Sequence, residues 1–389
     1  MGMTTPEVST LPISVRLSRI FSQPALRFLL PISLVVVVRA CCATILYAYL
    51  SPDASIHSTL RNAFYIFAAW DSEHYASIAQ SWYPAAPSRQ WEFFPLYPAI
   101  VRILSFFGLD VSLSALIVST MSGLISIVVF QKIANFYLSG DRALVATLVY
   151  FMLPPIFVFS TVSYSEPVFL LFSMLSWYFF ISGKHGKSCL AASLSSLARS
   201  YGILIVVPIA LKYLKHHEYR RLSYCTVPVF TLAGWMIYSL LMTRIIAPIY
   251  GQGTFLTAGS EYYNRIQETL RESLQGHMSI AVSRLLEYAY EHVIVLTIIL
   301  VSLAFVTILM LRVIKIDQAL SVYTLVSFGA IFFFGLSTSV ISFPRYLSFI
   351  FPIGLALHTR KTKVLLVCLV MLAVLDCLAW YAFLTDGFY

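Results

Sequence analysis

The chain has 389 residues, 59% of them hydrophobic and only 11% charged, with a formal net charge of +9 and a mean hydropathy of +0.82. A soluble domain carries about 25% charged residues, so a soluble enzyme is excluded. In so apolar a chain the excess positive charge reads as membrane orientation, not as a nucleic-acid surface.

Repeated apolar runs approach the ~20 residues needed to cross the hydrocarbon core as helix, which predicts an all-α polytopic membrane protein. Residues 1–28 hold Ser, Pro and Arg without a short apolar core and small-residue cleavage site. They read as a cytoplasmic N-terminal segment before a retained first span. Residues 29–389 read as a single integral membrane domain without internal repeats. Predicted spans are 29–50, 112–131, 143–160, 166–182, 222–246, 293–311, 319–339, 345–358 and 364–384.

Residues 188–211 admit two arrangements. A single crossing would put "KYLKHHEYRR" (212–221) on the same side as residues 70–83, against the positive-inside tendency. A reversal at Arg199–Gly202 instead makes 188–198 and 201–211 a half-membrane hairpin, and all eight lysines then fall at cytoplasmic ends. Irregular backbone at that depth requires surrounding protein or a wet cavity. The second arrangement is adopted: about nine full spans plus the hairpin, with outer loops 51–111 and 247–292. The six cysteines (Cys41, Cys42, Cys189, Cys225, Cys368 and Cys377) lie in apolar segments without a CxxC pair. They read as small buried hydrophobes, not as a disulfide frame or a metal site.

The first outer loop is unusually polar for this chain. In "AAWDSEHYASIAQSWY" (68–83), Trp70, His74 and Ile78 recur at i, i+4 and i+8, and Asp71 sits one turn before His74 and Tyr75. That spacing predicts an amphipathic interfacial helix. "EFFPLYP" (92–98) predicts a second one, 95–107, opened by Pro95. From the residues alone, Asp71 and Glu73 are solvated charges, catalytic carboxylates, or part of a metal site with His74. The last lacks an obvious third ligand beyond that face. In the second outer loop, "SEYYNRIQETLRESL" (260–274) reads as a helical, solvated cap.

Charges inside the spans are expensive, about 2.5–3.5 kcal/mol each on insertion scales, and are functional suspects. Glu166 and Arg199 are two such residues: Arg199 either binds an anionic group through its planar fork or forms a buried pair with Glu166. Arg345, at the start of a span below the outer face, either binds a phosphate or anchors its helix. Arg39 and Asp376, in the first and last spans, are candidates to pair and lock those helices together.

The order W-D-x-x-H-[FY]-x-x-I-A, then Tyr, then F-F-P-x-[FY]-P resembles the PIG-V family, the second mannosyltransferase of GPI-anchor assembly. Trp70, Asp71, His74, Tyr75, Ile78, Ala79, Tyr83, Phe93, Phe94, Pro95, Tyr97 and Pro98 carry it. "SYSEPVFLLFS" (163–173) and "ARSYGIL" (198–204) follow in the family's order, and "FPRYLSFIFP" (343–352) fits more loosely. Three positions depart from the pattern: Ser81-Trp82 replaces His-Gly, and Tyr201 replaces Asn.

The resemblance implies a GT-C-type glycosyltransferase fold and an inverting transfer of mannose from polyprenyl (dolichyl) phosphate mannose to a lipid-linked glycan. The reaction then faces the lumen of the endoplasmic reticulum in a eukaryote, or the outside of a prokaryotic plasma membrane. No cofactor or nucleotide loop is implied, a divalent ion is left open, and a small membrane partner subunit is a further expected partner besides lipid. Asp71 becomes the expected general base, with Trp70, Glu73, His74, Tyr75, Glu166, Arg199 and Arg345 as substrate-binding residues. The competing readings are a GT-C enzyme of different donor or acceptor acting on prokaryotic surface glycans, and a lipid or solute transporter. A transporter would tend to show paired broken helices in two related halves, and only one hairpin is predicted here.

Overall fold

The fold is that of a computed structural model, which describes residues 24–50, 70–85, 88–243, 293–331, 343–358 and 362–385. Among these residues there are helices and no strand. Residues 1–23 of the N-terminal segment, the 247–292 loop with its expected cap, and residues 340–342 lie outside the described residues.

The chain opens with α1 (Pro24–Leu50), then α2 (Asp71–Ser81), a 3-10 turn (Arg89–Glu92) and α3 (Leu96–Ser105). Next come α4 (Val111–Tyr137), α5 (Gly140–Phe151), α6 (Pro154–Phe159), α7 (Glu166–Ile181) and α8 (His185–Ala198). A second 3-10 stretch (Ser200–Ile205) leads to α9 (Val206–Lys215) and α10 (Thr226–Thr243). The remainder holds α11 (Val293–Ile314), α12 (Gln318–Ala330), α13 (Phe343–Ser348) and α14 (Thr362–Thr385). Local chemistry sets several starts. Asp110 caps α4 by accepting from the Ser112 and Leu113 N–H groups, and Asp317 caps α12 by accepting from those of Ala319 and Leu320. Pro154 and Pro167 occupy first turns, where their missing N–H costs nothing.

Among the described residues, four helices are long and apolar enough to cross a membrane: Arg27–Tyr49, Val111–Tyr137, Tyr219–Thr243 and Val364–Tyr381. The protein is an integral membrane protein. Two of the expected continuous spans are broken. Residues 143–160 divide between α5 and α6, because Pro154 and Pro155 cannot continue the α5 ladder. Residues 345–358 divide between α13 and a single turn, Pro352–Leu355, again with a proline at the break.

The chain reverses at Arg199–Gly202. Gly202 lies so close to the end of α8 that an added Cβ would sit 2.2 Å from the Ser195 carbonyl group. At the far end Tyr213 of α9 returns to His185 of α8, hydroxyl to Nδ1, at 2.7 Å. Helices α7 and α8 run antiparallel through buried serines, with Ser173 Oγ and Ser195 Oγ 2.7 Å apart and Ser188 Oγ donating to the Ser176 carbonyl. One end of the molecule is tied by Lys212 Nζ donating to Asp317 Oδ2 at 2.9 Å. Tyr137 reaches the same carboxylate and accepts from Trp177 Nε1. The start of α7, the end of α8 and α2 gather at the opposite end.

Helices α1 and α14 do pack together: Tyr49 and Tyr381 meet edge to face at 5.9 Å, and Cys42 and Cys377 Sγ are 3.1 Å apart. The hydrogen bonds of Arg39, however, go to the Phe157 carbonyl within α6 and to Ser160 Oγ just after it, while neither Asp376 oxygen has a hydrogen-bond partner among the described residues. Of the cysteines only Cys42 is fully buried, and Cys41 is exposed.

Candidate active site

Helix α2 carries the polar motif and is held by its aromatic face. Tyr75 is buried beneath it, with its ring edge to face against Phe93 (4.9 Å) and Tyr97 (4.9 Å). Its hydroxyl shares a 2.7 Å hydrogen bond with Ser165 Oγ. Ile78 and Ala79 complete the buried stripe, which runs through Ser72 and Tyr75 and shares only Ile78 with the i, i+4, i+8 series. Trp70, immediately before the helix, has φ +59°, a left-handed backbone that bulky residues rarely adopt. It sets the angle at which the chain enters α2. Its indole is largely exposed, as is Glu73, whereas Asp71 and His74 are half-buried.

The helix start is fastened to the segment preceding α7. The Asp71 backbone N–H donates to the Tyr164 hydroxyl at 3.2 Å. Beyond Tyr164 lies a buried cluster of charge built from three distant parts of the chain. Glu166, the first residue of α7, is 2% exposed and accepts at Oε1 from Arg345 Nε (2.7 Å) and Arg345 Nη2. Arg199, at the hairpin apex, faces the same oxygen with Nη1 at 2.5 Å, as an ion pair without hydrogen-bond alignment. Two positive charges therefore share one negative charge. The Arg345 guanidinium lies over Phe159 (4.3 Å) and Tyr164 (4.9 Å), and both guanidinium groups lie over Tyr346. These faces favour a cation.

Arg199 is the more open of the two arginines, 20% exposed against 8% for Arg345. It borders a small cleft lined also by Glu166, Tyr201, Tyr323, Tyr346 and Phe349. Of the sequence candidates, the fold brings Glu166, Arg199 and Arg345 into direct contact and ties Asp71 and Tyr75 to the residues beside them. Glu73 points away from this arrangement. Of the two readings of Arg199, the pair with Glu166 is present in the structure.

The other side of α2 is covered by the turn Arg89–Glu92. Gln90 Nε2 donates to Ser77 Oγ at 2.7 Å, and the His74 imidazole stacks on Phe93 at 5.1 Å. Burial pushes the His74 imidazole below its ordinary value; Arg89 adds to the fall, and Asp71 and Glu73 oppose it. Burial pushes the Glu92 carboxyl up to about 7; Arg89 pulls it back and Asp71 adds to the rise. Tyr164, Ser165, Tyr346 and Glu92 were not singled out from sequence. All four stand inside quoted segments, where Glu166 beside Tyr164 and Ser165, and Arg345 beside Tyr346, are the available signal. Among the described residues, no group of three or more His, Cys, Asp or Glu side chains is arranged to hold a metal ion.

The family described as mannosyltransferase (PIG-V) matches residues 11–255, more than half of the chain. GPI mannosyltransferase 2 of Schizosaccharomyces pombe is similar, 26% identical over 151 residues, which are 37% of this chain and 31% of that protein. The aligned part thus spans about a third of the length of this curated relative. The chain belongs to the mannosyltransferase (PIG-V) family.

Proposed function

We propose that the protein transfers mannose, with inversion, from a polyprenyl phosphate mannose such as dolichyl phosphate mannose to a lipid-linked glycan. The observation that carries the reading is the attachment of Asp71, through Tyr164, to the paired arginines on Glu166. Such a transfer needs a proton acceptor and, a few ångströms away, cationic support for a leaving phosphate. Asp71 takes the proton of the acceptor hydroxyl as its oxygen attacks the anomeric carbon. The bond from that carbon to the phosphate oxygen breaks, and its electron pair leaves with the polyprenyl phosphate. Arg199, the more exposed guanidinium, supports that phosphate. Arg345 stays on Glu166 and keeps the site positive.

The name of the fission-yeast relative supports a glycan of the GPI-anchor type as acceptor, with the second, α-1,6-linked mannose as product. The same proposal puts the protein in the endoplasmic reticulum membrane, with the Asp71 end in the lumen. A small partner subunit belongs to the same reading. The remaining alternatives, a GT-C enzyme with another donor or acceptor and a transporter, separate in one experiment. Purified protein in lipid is given dolichyl phosphate mannose and an alkyl α-mannoside, alongside dolichyl phosphate glucose as the competing donor. Mannosyl product of α configuration from the first donor alone is expected. Product from glucose instead means a different GT-C specificity, and movement of intact lipid without product means a transporter.

A further inference from the structure

We propose that Glu92 is an acceptor-binding residue of this site, its carboxyl group donating a hydrogen bond to a hydroxyl oxygen of the acceptor glycan beside Asp71. The proposal rests on the mannosyl-transfer reading above and adds a second carboxyl group to it.

The geometry begins with how firmly the backbone at Glu92 is held. Before it, Trp91 is 1% exposed, donates from Nε1 to the Pro84 carbonyl at 3.0 Å, and packs on Tyr83 and Trp235. After it, Phe93 stacks on His74, and its carbonyl accepts from the Tyr83 hydroxyl at 2.6 Å. Gln90, two residues earlier, is bonded to Ser77 of α2. A side chain between two anchored neighbours has a fixed origin, which is what a positioning group requires.

The side chain itself is half-buried, and Oε1 is enclosed without a hydrogen-bond partner among the described residues. An enclosed, unpaired carboxyl oxygen is costly, and more so as a charged carboxylate. The charges acting on it are Arg89 of its own turn and Asp71 of α2, which pull in opposite directions. His74, the other ionisable group of α2 at this turn, is itself shifted toward its neutral form. Glu92 therefore keeps its proton to higher pH than an ordinary carboxyl group, up to about 7. A neutral acid donates an O–H without adding a second negative charge beside the base, and an acceptor closing over the site excludes water and strengthens that preference. Two carboxyl groups in unlike environments divide the work: one accepts the proton of the reacting hydroxyl, the other holds a neighbouring hydroxyl in place.

The test uses the full-length protein in lipid with dolichyl phosphate mannose and an alkyl α-mannoside. Glu92→Ala is expected to raise the KM for the mannoside about tenfold or more while kcat falls less than about threefold and the donor KM holds. In the wild type the mannoside KM is expected to rise from one pH unit below neutrality to one above, as Glu92 loses its proton. Glu92→Gln, which keeps an N–H donor but does not titrate, is expected to raise this KM by about threefold and to abolish its pH dependence. A mannoside KM unmoved by Glu92→Ala, a loss confined to kcat, or a pH dependence that persists in Glu92→Gln overturns the proposal. The Gln variant keeps the test alive if the Ala variant fails to fold. Wild type that transfers no mannose overturns the functional reading itself and this proposal with it. Wild type that transfers normally while both variants match it overturns the role of Glu92 alone.

Discussion

The hydroxyl of Tyr164 accepts a hydrogen bond from the backbone N–H of Asp71 at 3.2 Å, and the same ring lies 4.9 Å from the Arg345 guanidinium. One side chain thus spaces the proposed base from the cationic cluster. Tyr164→Phe keeps the ring and removes the tie. Its expected effect is a fall in kcat of about tenfold, because small displacements of a base are costly, with a stability loss of about 1 kcal/mol or less. Steady-state rates and a thermal melt of the same preparation check both.

Glu166 and Arg199 are predicted to fail in different ways. Glu166→Ala leaves two guanidinium groups without their carboxylate, a loss of about 3–5 kcal/mol, and is expected to elute as aggregate by fluorescence-detected size exclusion. Arg199→Ala leaves the Arg345–Glu166 pair intact. It is expected to elute as a normal peak while kcat/KM for the lipid donor falls about a hundredfold.

Gly202 tests the chain reversal. An alanine Cβ there would meet the backbone of Ser195 and Ser196, which cannot rotate away. Gly202→Ala is expected to destabilise by about 1–3 kcal/mol and to displace Arg199, so that activity falls together with melting temperature. Gly186→Ala, at a position with open space around the added Cβ, is the matched control.

Two groups near α2 give the stability a signed pH dependence. Glu92 rises from its ordinary 4.5 to about 7 on folding. The folded state then holds that proton more tightly, and this contribution is complete below 4.5 and lost as pH rises through about 7. His74 is lowered from 6.5, so its contribution is present above 6.5 and lost as pH falls below it. Glu92→Gln is expected to remove the decline toward neutral pH and to leave the acid-side decline in place, as followed by melting temperature at constant ionic strength.

The parts of this architecture that depend on local chemistry could be read from the chain. The i, i+4, i+8 spacing located α2, Pro95 located α3, and the lysine distribution located the reversal at Arg199–Gly202. The breaks at Pro154 and Pro352 carried a local signal too, but strong hydropathy on both sides masked it. The Arg345–Glu166 contact joins residues 179 apart in sequence, and no spacing rule reaches that far. Glu92 was illegible for a different reason: an acid in a polar loop reads as solvated until the burial of Trp91 and Phe93 on either side is known.

The central claim is that Asp71 is the base, and the measurement that tests it most directly is mannose transfer by Asp71→Asn against wild type. Both are purified in lipid, matched for folding, and given dolichyl phosphate mannose and an alkyl α-mannoside. Asparagine keeps the size and polarity of the side chain and loses its capacity to take a proton, so a fall in kcat of about a hundredfold or more is predicted. An Asp71→Asn protein that retains most of the wild-type rate would contradict the account and move the base to another carboxylate.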